Sequence, residues 1–315
     1  MQILDDLRDP RTLVGKIFYG LSLLVLFSLL GVLAISALVV RGVLWPEKIS
    51  GGVRPESLIN KPEVFTFAAP GGKGGDAWLF PGLRTAPVII LCHGYRSQRS
   101  DLLTMISPLQ EHQYNVVVFD FSGHGNNDGG TTLGPAEART LLGLIGELSQ
   151  RNDLDGTRFG VWGENLGGYA ALAAASSEPR IKAVAVDSVY DRPAQFLDLQ
   201  VESRGATTLP LVSTVSRLAY WLLNWSTRNE PPLSGRVGSM NQTAKLFIQG
   251  RESPVLADQT LQLFLKSPEP RAQAVLPRTG YAFLPKEEKQ DYDNQLLNFF
   301  LQHLPTATPP PPANP

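Results

Sequence analysis

The 315-residue chain is poor in the side chains that most often carry chemistry, with one cysteine and four histidines. A lone cysteine, Cys92, excludes an intrachain disulfide and leaves the redox compartment open. At the end of an apolar run it reads as a buried core thiol. An excess of one charge is also missing: 28 basic residues stand against 29 acidic ones, a formal net charge of −1. Without a basic field, nucleic acid is not expected as a partner. No cofactor and no metal are expected either.

What is present is a globular composition, 43% hydrophobic and 18% charged, at a length that suits one large α/β domain plus appendages. Ahead of that domain, after an N-terminal flank over 1–16, Ile17 to Val40 runs 24 residues without a charge. The hydrocarbon core of a bilayer needs about 20 helical residues, so 17–40 reads as a single-pass membrane helix, and the membrane is a predicted partner. A cleaved signal peptide is the rival, with Ala34-Ile35-Ser36 before Ala37 as its cutting site, but the apolar run exceeds the roughly 7 to 15 residues of a signal core. Phe18 and Tyr19 at one end and Trp45 at the other suit the two interfaces. Arg8, Arg11 and Lys16 before the run balance Arg41, Lys48 and Arg54 after it, so the side of the membrane that the domain faces stays open.

Residues 41–61, rich in Gly, Pro and polar side chains, read as a linker that lets the domain stand off the membrane. The domain is expected over 62–304. It begins with a hairpin, Val64 to Ala69 and Ala77 to Phe80, around the glycine-rich turn at 71–75. Short apolar runs then follow at Val88–Leu91, Val116–Phe119, Phe159–Trp162, Ala183–Val186 and Leu246–Ile248, of the kind buried on both faces of a parallel sheet. Helical periodicity separates them at Leu102–Gln110, Pro135–Gln150, Leu166–Ser176 and Asp258–Leu265, and returns at Tyr292–Leu304. The succession predicts a mostly parallel sheet with helices on both faces. Between about 191 and 240 the strand pattern lapses into an insertion that reads as a helical cap. Its stripe of Leu218, Tyr220, Trp221, Leu222 and Trp225 is expected to pack on the domain's own core in preference to a bilayer. Residues 305–315, with four consecutive prolines at 309–312, read as an extended disordered tail.

The most informative stretch is Gly163-Glu164-Asn165-Leu166-Gly167-Gly168. It keeps the glycine frame of a G-x-S-x-G elbow, in which a strand turns sharply into a helix and lifts one side chain above the sheet. Asparagine stands where the nucleophile belongs. A carboxamide has no proton whose removal gives a useful nucleophile near neutral pH.

Two further landmarks precede it in order: His93-Gly94-Tyr95 after one strand, and Asp120-Phe121-Ser122-Gly123-His124-Gly125 after the next. With these motifs and the helix ahead of the domain, the chain resembles the α/β-hydrolase superfamily, and within it membrane-anchored Bem46-like serine hydrolases of the alpha/beta hydrolase domain-containing group. The resemblance covers roughly Val64 to Leu304. It implies an oxyanion hole from the backbone amides of Tyr95 and Leu166, and an acid and a base following the nucleophile. Those positions hold Ser253, in Gly250-Arg251-Glu252-Ser253, and Tyr281, in Thr279-Gly280-Tyr281. The triad is thus degenerate at Asn165, Ser253 and Tyr281.

A histidine count agrees without alignment. Of His93, His112, His124 and His303, only His303 follows the elbow, and it reads as a solvated helix-end residue. His93 and His124 read as turn-holding residues. Asp187, Glu252 and Ser188 lie near the site but bring no base with them. What remains is a pocket whose candidate ligand-binding residues are His93, Gly94, Tyr95, Asn165 and Leu166, suited to an acyl or anionic group. A collapsed pocket that satisfies only itself is the equal alternative. The expected function is a membrane-anchored, non-catalytic module that binds a small ligand or a protein partner. The alternative is an active hydrolase with its nucleophile and base elsewhere.

Overall fold

A computed structural model describes residues 12–48, 52–69, 74–209 and 211–306. Most of the N-terminal flank, the tip of the first hairpin and the proline tail lie outside the described residues. The chain divides into two compact units, Met1–Val43 with Leu197–Trp225, and Leu44–Phe196 with Ser226–Pro315.

The larger unit is built on one eight-stranded sheet. Strands β1 (Glu63–Phe67) and β2 (Gly75–Phe80) form the expected antiparallel hairpin. They are followed by β3 (Val88–Cys92), β4 (Asn115–Phe119), β5 (Phe159–Glu164), β6 (Ile181–Asp187), β7 (Ala244–Gly250) and β8 (Arg271–Leu276). The spatial order is β1-β2-β4-β3-β5-β6-β7-β8, with β2 antiparallel to β4 and every later pairing parallel. Strands β3, β4 and β7 are buried at every residue, which is why each is built on a continuous apolar run. The expected strands are all present. β8 is an addition, an edge strand whose Arg271, Gln273 and Val275 are partly or largely exposed, so its sequence alternates instead of running apolar.

Strand order places the site. The chain moves outward one way from β3 to β4 and the other way from β5 onward, so the carboxyl ends of β3 and β5 flank the switch point where a crevice opens in such sheets. The register sets Cys92 opposite Gly163 and Glu164 opposite Asp187. The loop after β3 therefore meets the elbow after β5.

Helix α1 (Leu13–Leu44) comes first in the chain; within the larger unit follow α2 (Leu103–Glu111), α3 (Pro135–Leu148) and α4 (Leu166–Ala175). Every residue of α4 is buried, and its run of glycine and alanine lets the sheet approach closely. Helices α5 (Pro193–Ser203) and α6 (Val212–Leu223) make the insertion helical, as its sequence predicts; α7 (Pro254–Lys266) and α8 (Lys286–His303) follow. An apolar core on one face of the sheet joins Trp78, Leu91, Met105, Trp162, Tyr281, Tyr292 and Phe300.

Two expectations about the appendages are corrected, the first in part. Within the stretch read as a spacer, the residues from Leu44 to Lys48 are held in place. Helix α1 continues to Leu44, the Leu44 carbonyl accepts from Thr131 N at 2.8 Å, and Lys48 pairs with Asp128. The Trp45 ring lies so close to Gly130 that a Cβ there would come within 2.9 Å of the indole nitrogen. The aromatic stripe of the insertion is not core: Leu218, Trp221, Leu222 and Trp225 are all exposed, because α6 buries its other side, at Val212 and Ser216.

In the smaller unit, α1 is apolar around its whole circumference and long enough to cross a membrane. From Ile17 to Leu33 most of its large side chains, including Phe18, Leu24, Phe27 and Leu30, are exposed. A soluble core helix would bury such a surface.

Candidate functional site

The elbow is sterically enforced. A Cβ at Gly163 would fall 2.3 Å from the Gly167 carbonyl carbon, and one at Gly167 would fall 2.2 Å from the Cys92 carbonyl oxygen. With glycine at both places β5 turns straight into α4, and the residue between takes the strain: Asn165 has φ 36° and ψ −93°. A non-glycine residue holds such a conformation only where its surroundings over-determine it. Here the Asn165 amide donates to the Asp187 carbonyl at 2.8 Å, and its own carbonyl accepts from Tyr169 N at 2.8 Å.

The Asn165 side chain folds back onto the donors that the elbow would offer a substrate. Its Oδ1 accepts from Tyr95 N at 2.7 Å and from Leu166 N at 2.5 Å. Both amides converge on one point, and the chain's own oxygen occupies it. The Nδ2 group donates to Glu164 Oε1 at 3.1 Å, and the other oxygen, Glu164 Oε2, accepts from Tyr281 N at 3.1 Å. Glycine at 94 leaves room for this closure, since a Cβ would stand 3.0 Å from both Asn165 Nδ2 and Glu164 Oε1 and press on them.

The residue at the base position points elsewhere. Tyr281 is fully buried, with its ring edge-on to Trp162 and Tyr292 and its hydroxyl bonded to Thr104 Oγ1 at 3.1 Å and Asp293 Oδ2 at 3.2 Å. Burial raises its phenol further above the usual range, so it is a neutral core residue. Ser253 stands at the N-terminus of α7, where its carbonyl accepts from Ala257 N. The neighbouring Glu252 turns to Thr279, accepting from N at 2.6 Å and Oγ1 at 2.8 Å.

His93 is engaged by the protein's own backbone. It is completely buried; its Nδ1 meets the Gly94 carbonyl at 2.8 Å and its Nε2 accepts from Phe121 N at 3.0 Å. That pair of partners fixes the neutral tautomer, and burial lowers its pKa. His124 is likewise buried and pushed down to about 3, chiefly by desolvation. His303 differs from the solvated residue its sequence suggests, since it leans on Phe299 and burial lowers its pKa.

One acid at the elbow, Glu164, is the part that sequence reasoning missed. Glu164 is pushed up to about 7, first by burial. Asp187, opposite it in the sheet, is raised well above the usual carboxylate range by burial and by Glu164. Asp187 Oδ1 accepts from Ser188 Oγ and Oδ2 from Tyr292 OH, both at 2.8 Å, and Tyr292 in turn accepts from Trp162 Nε1 at 2.9 Å. The available signal was an acidic residue closing an otherwise apolar strand, directly before the elbow. Chemically the ensemble is a set of mutually satisfied polar groups: two filled amide donors, two acids favouring the protonated form, and no imidazole.

Comparisons with known proteins agree on the fold. The alpha/beta hydrolase fold family matches residues 87–212. An uncharacterized 31.7 kDa protein of the traX-finO intergenic region of Escherichia coli is 31% identical over 101 residues, 31% of this chain; that match spans only 35% of the relative's length. The uncharacterized protein YfhR of Escherichia coli O157:H7 is 25% identical over 268 residues, 79% of this chain and 86% of that one. Among solved structures, the Pyrococcus furiosus esterase Pf2001 superposes with a TM-score of 0.66 at 17% identity, over 83% of this chain and 98% of that one. Sheet order, elbow and family match converge: the chain has the α/β-hydrolase fold, and residues 87–212 match the model of that family.

Proposed function

We propose that the chain is a membrane-anchored, Bem46-like member of the superfamily that does not hydrolyse substrates and acts as a binding module. The observation that carries this reading is the Asn165 carboxamide seated on the Tyr95 and Leu166 amides. Hydrolysis of an ester or amide needs those donors free for the developing oxyanion and a nucleophile beside them. Here one side chain fills the hole and replaces the nucleophile. An acyl or anionic ligand would have to displace Oδ1, so the self-satisfied pocket favours a protein partner over a small ligand. The apolar, exposed α1 supports the anchor. A helix this long and apolar is far less soluble alone than in hydrocarbon.

A second reading rests on Ser188, which has φ 50° and hydrogen-bonds to Asp187. It would make the chain an active hydrolase with a displaced nucleophile. The raised pKa of Asp187 weighs against it, because a protonated acid cannot take a proton from serine. Turnover of short-chain p-nitrophenyl esters by the detergent-solubilised full chain separates the two. No rate above that of Ser188→Ala is expected; turnover lost on Ser188→Ala would install the second reading.

A further inference from the structure

We propose that α6 is a second membrane contact, an amphipathic helix lying in the headgroup region of the leaflet from which the C-terminal end of α1 emerges. This rests on the reading of α1 as a membrane anchor. Successive residues of a helix turn by about 100°, so Leu218, Trp221, Leu222 and the adjoining Trp225 share an arc of about 100°. They are 55%, 41%, 55% and 55% exposed. Val212 and Ser216 lie on the other side and are buried. An apolar stripe of that width with tryptophans on it has the make-up of an interfacial helix. Arg217 stands at the edge of the arc, 58% exposed and paired with Asp198 at 2.7 Å, where a basic side chain meets headgroups.

The occupant follows from continuity. Helices α1 and α6 belong to one compact unit, and they touch where Ser36 Oγ donates to the Val212 carbonyl at 3.3 Å. Ser36 lies four residues before the end of the 17–40 apolar run, about 6 Å along the helix axis. If α1 spans the bilayer, the first turn of α6 sits near the boundary between hydrocarbon and headgroups. Its exposed leucines and tryptophans then continue the apolar surface of α1 along the membrane plane. Trp221 and Trp225 would supply the aromatic belt of that leaflet.

The test uses the full chain reconstituted in vesicles of phosphatidylcholine and phosphatidylglycerol, with part of the phosphatidylcholine brominated near the headgroup end of the acyl chain. In Trp45→Phe the remaining fluorophores are Trp221, Trp225 and the buried Trp78 and Trp162. Bromolipid should quench roughly half of its emission, and adding Trp221→Phe and Trp225→Phe should abolish that quenching. Retention of the chain in the vesicles after alkaline carbonate washing reports α1 separately. Retained chain without quenching of Trp45→Phe overturns the α6 contact and leaves the anchor standing. A blue-shifted but unquenched emission overturns it in favour of a second copy or another protein on that face. Chain lost in the wash refutes the anchor, and the α6 contact falls with it.

Discussion

Asn165→Ala should destabilise the chain by about 3 kcal/mol, for reasons that can be counted. The substitution removes the acceptor shared by Tyr95 N and Leu166 N, and the donor to Glu164 Oε1. Each hydrogen bond contributes about 1 kcal/mol net, and more where the orphaned group stays out of water. Alanine relieves nothing, because φ 36° is at least as unfavourable for it as for asparagine. Asn165→Gly loses the same three bonds but tolerates positive φ, worth about 1 to 2 kcal/mol, and should lie that much above the alanine variant. Both vacate the hole, so a small anion should refill it. Acetate at ten times its Kd would return about 1.4 kcal/mol to either variant and nothing to the wild type. The assay is urea denaturation of the detergent-solubilised full chain, followed by tryptophan emission with and without acetate. An alanine variant within about 0.5 kcal/mol of wild type, or an acetate response equal in all three proteins, would refute the filled hole.

Other perturbations probe the surroundings. Asn165→Ser should fold and remain inactive on p-nitrophenyl esters, since Tyr281 supplies no base; measured turnover in that single variant would refute the placement of Tyr281. Tyr281→Phe should cost about 1 kcal/mol in urea denaturation through loss of the bonds to Thr104 and Asp293, whereas a tyrosine in an open pocket would lose almost nothing. His93→Ala should cost about 3 kcal/mol, because Phe121 N and the Gly94 carbonyl lose their partner and a cavity is left. The contribution of Glu164 to stability should fall as pH rises from about 4.5 to about 7: Glu164 keeps its proton in the folded state to about 7 but loses it near 4.5 when unfolded, so over that window its folded form binds more of that proton. That contribution falls by roughly 3 kcal/mol at most, so the stability difference between wild type and Glu164→Gln should shrink by that amount across denaturation curves taken at pH 4.5, 6 and 8, while the lowered pKa values of His93 and His124 act in the opposite direction in both proteins.

Why some of this was legible and some not comes down to range. The apolar runs of β3, β4, β5, β6 and β7 declare themselves because both faces of each strand are buried, whereas β8 hides because an edge strand needs only one apolar face. The elbow was legible from Gly163 and Gly167, whose lack of a side chain is dictated by atoms within a few residues or on the next strand. The fate of Asn165 was only half legible. Its inability to act as a nucleophile follows from the carboxamide itself, but the seat of Oδ1 depends on the amide of the adjacent Leu166 and on that of Tyr95, 70 residues before Asn165 in sequence. Tyr281 followed the same pattern: its position could be located, but its burial against Trp162, Tyr292 and Asp293 could not. The exposure of Leu218, Trp221 and Trp225 ran against the usual preference of aromatic side chains for the core, because α6 belongs with α1 and not with the sheet.

The most direct measurement is the intact mass of the full chain after treatment with a fluorophosphonate, which labels a serine activated by a neighbouring base. With Asn165 in the elbow and no imidazole beside it, the mass should not change on folded protein. A stoichiometric adduct, lost on Ser188→Ala or on substitution of another serine, would contradict the non-catalytic reading and make the chain an enzyme.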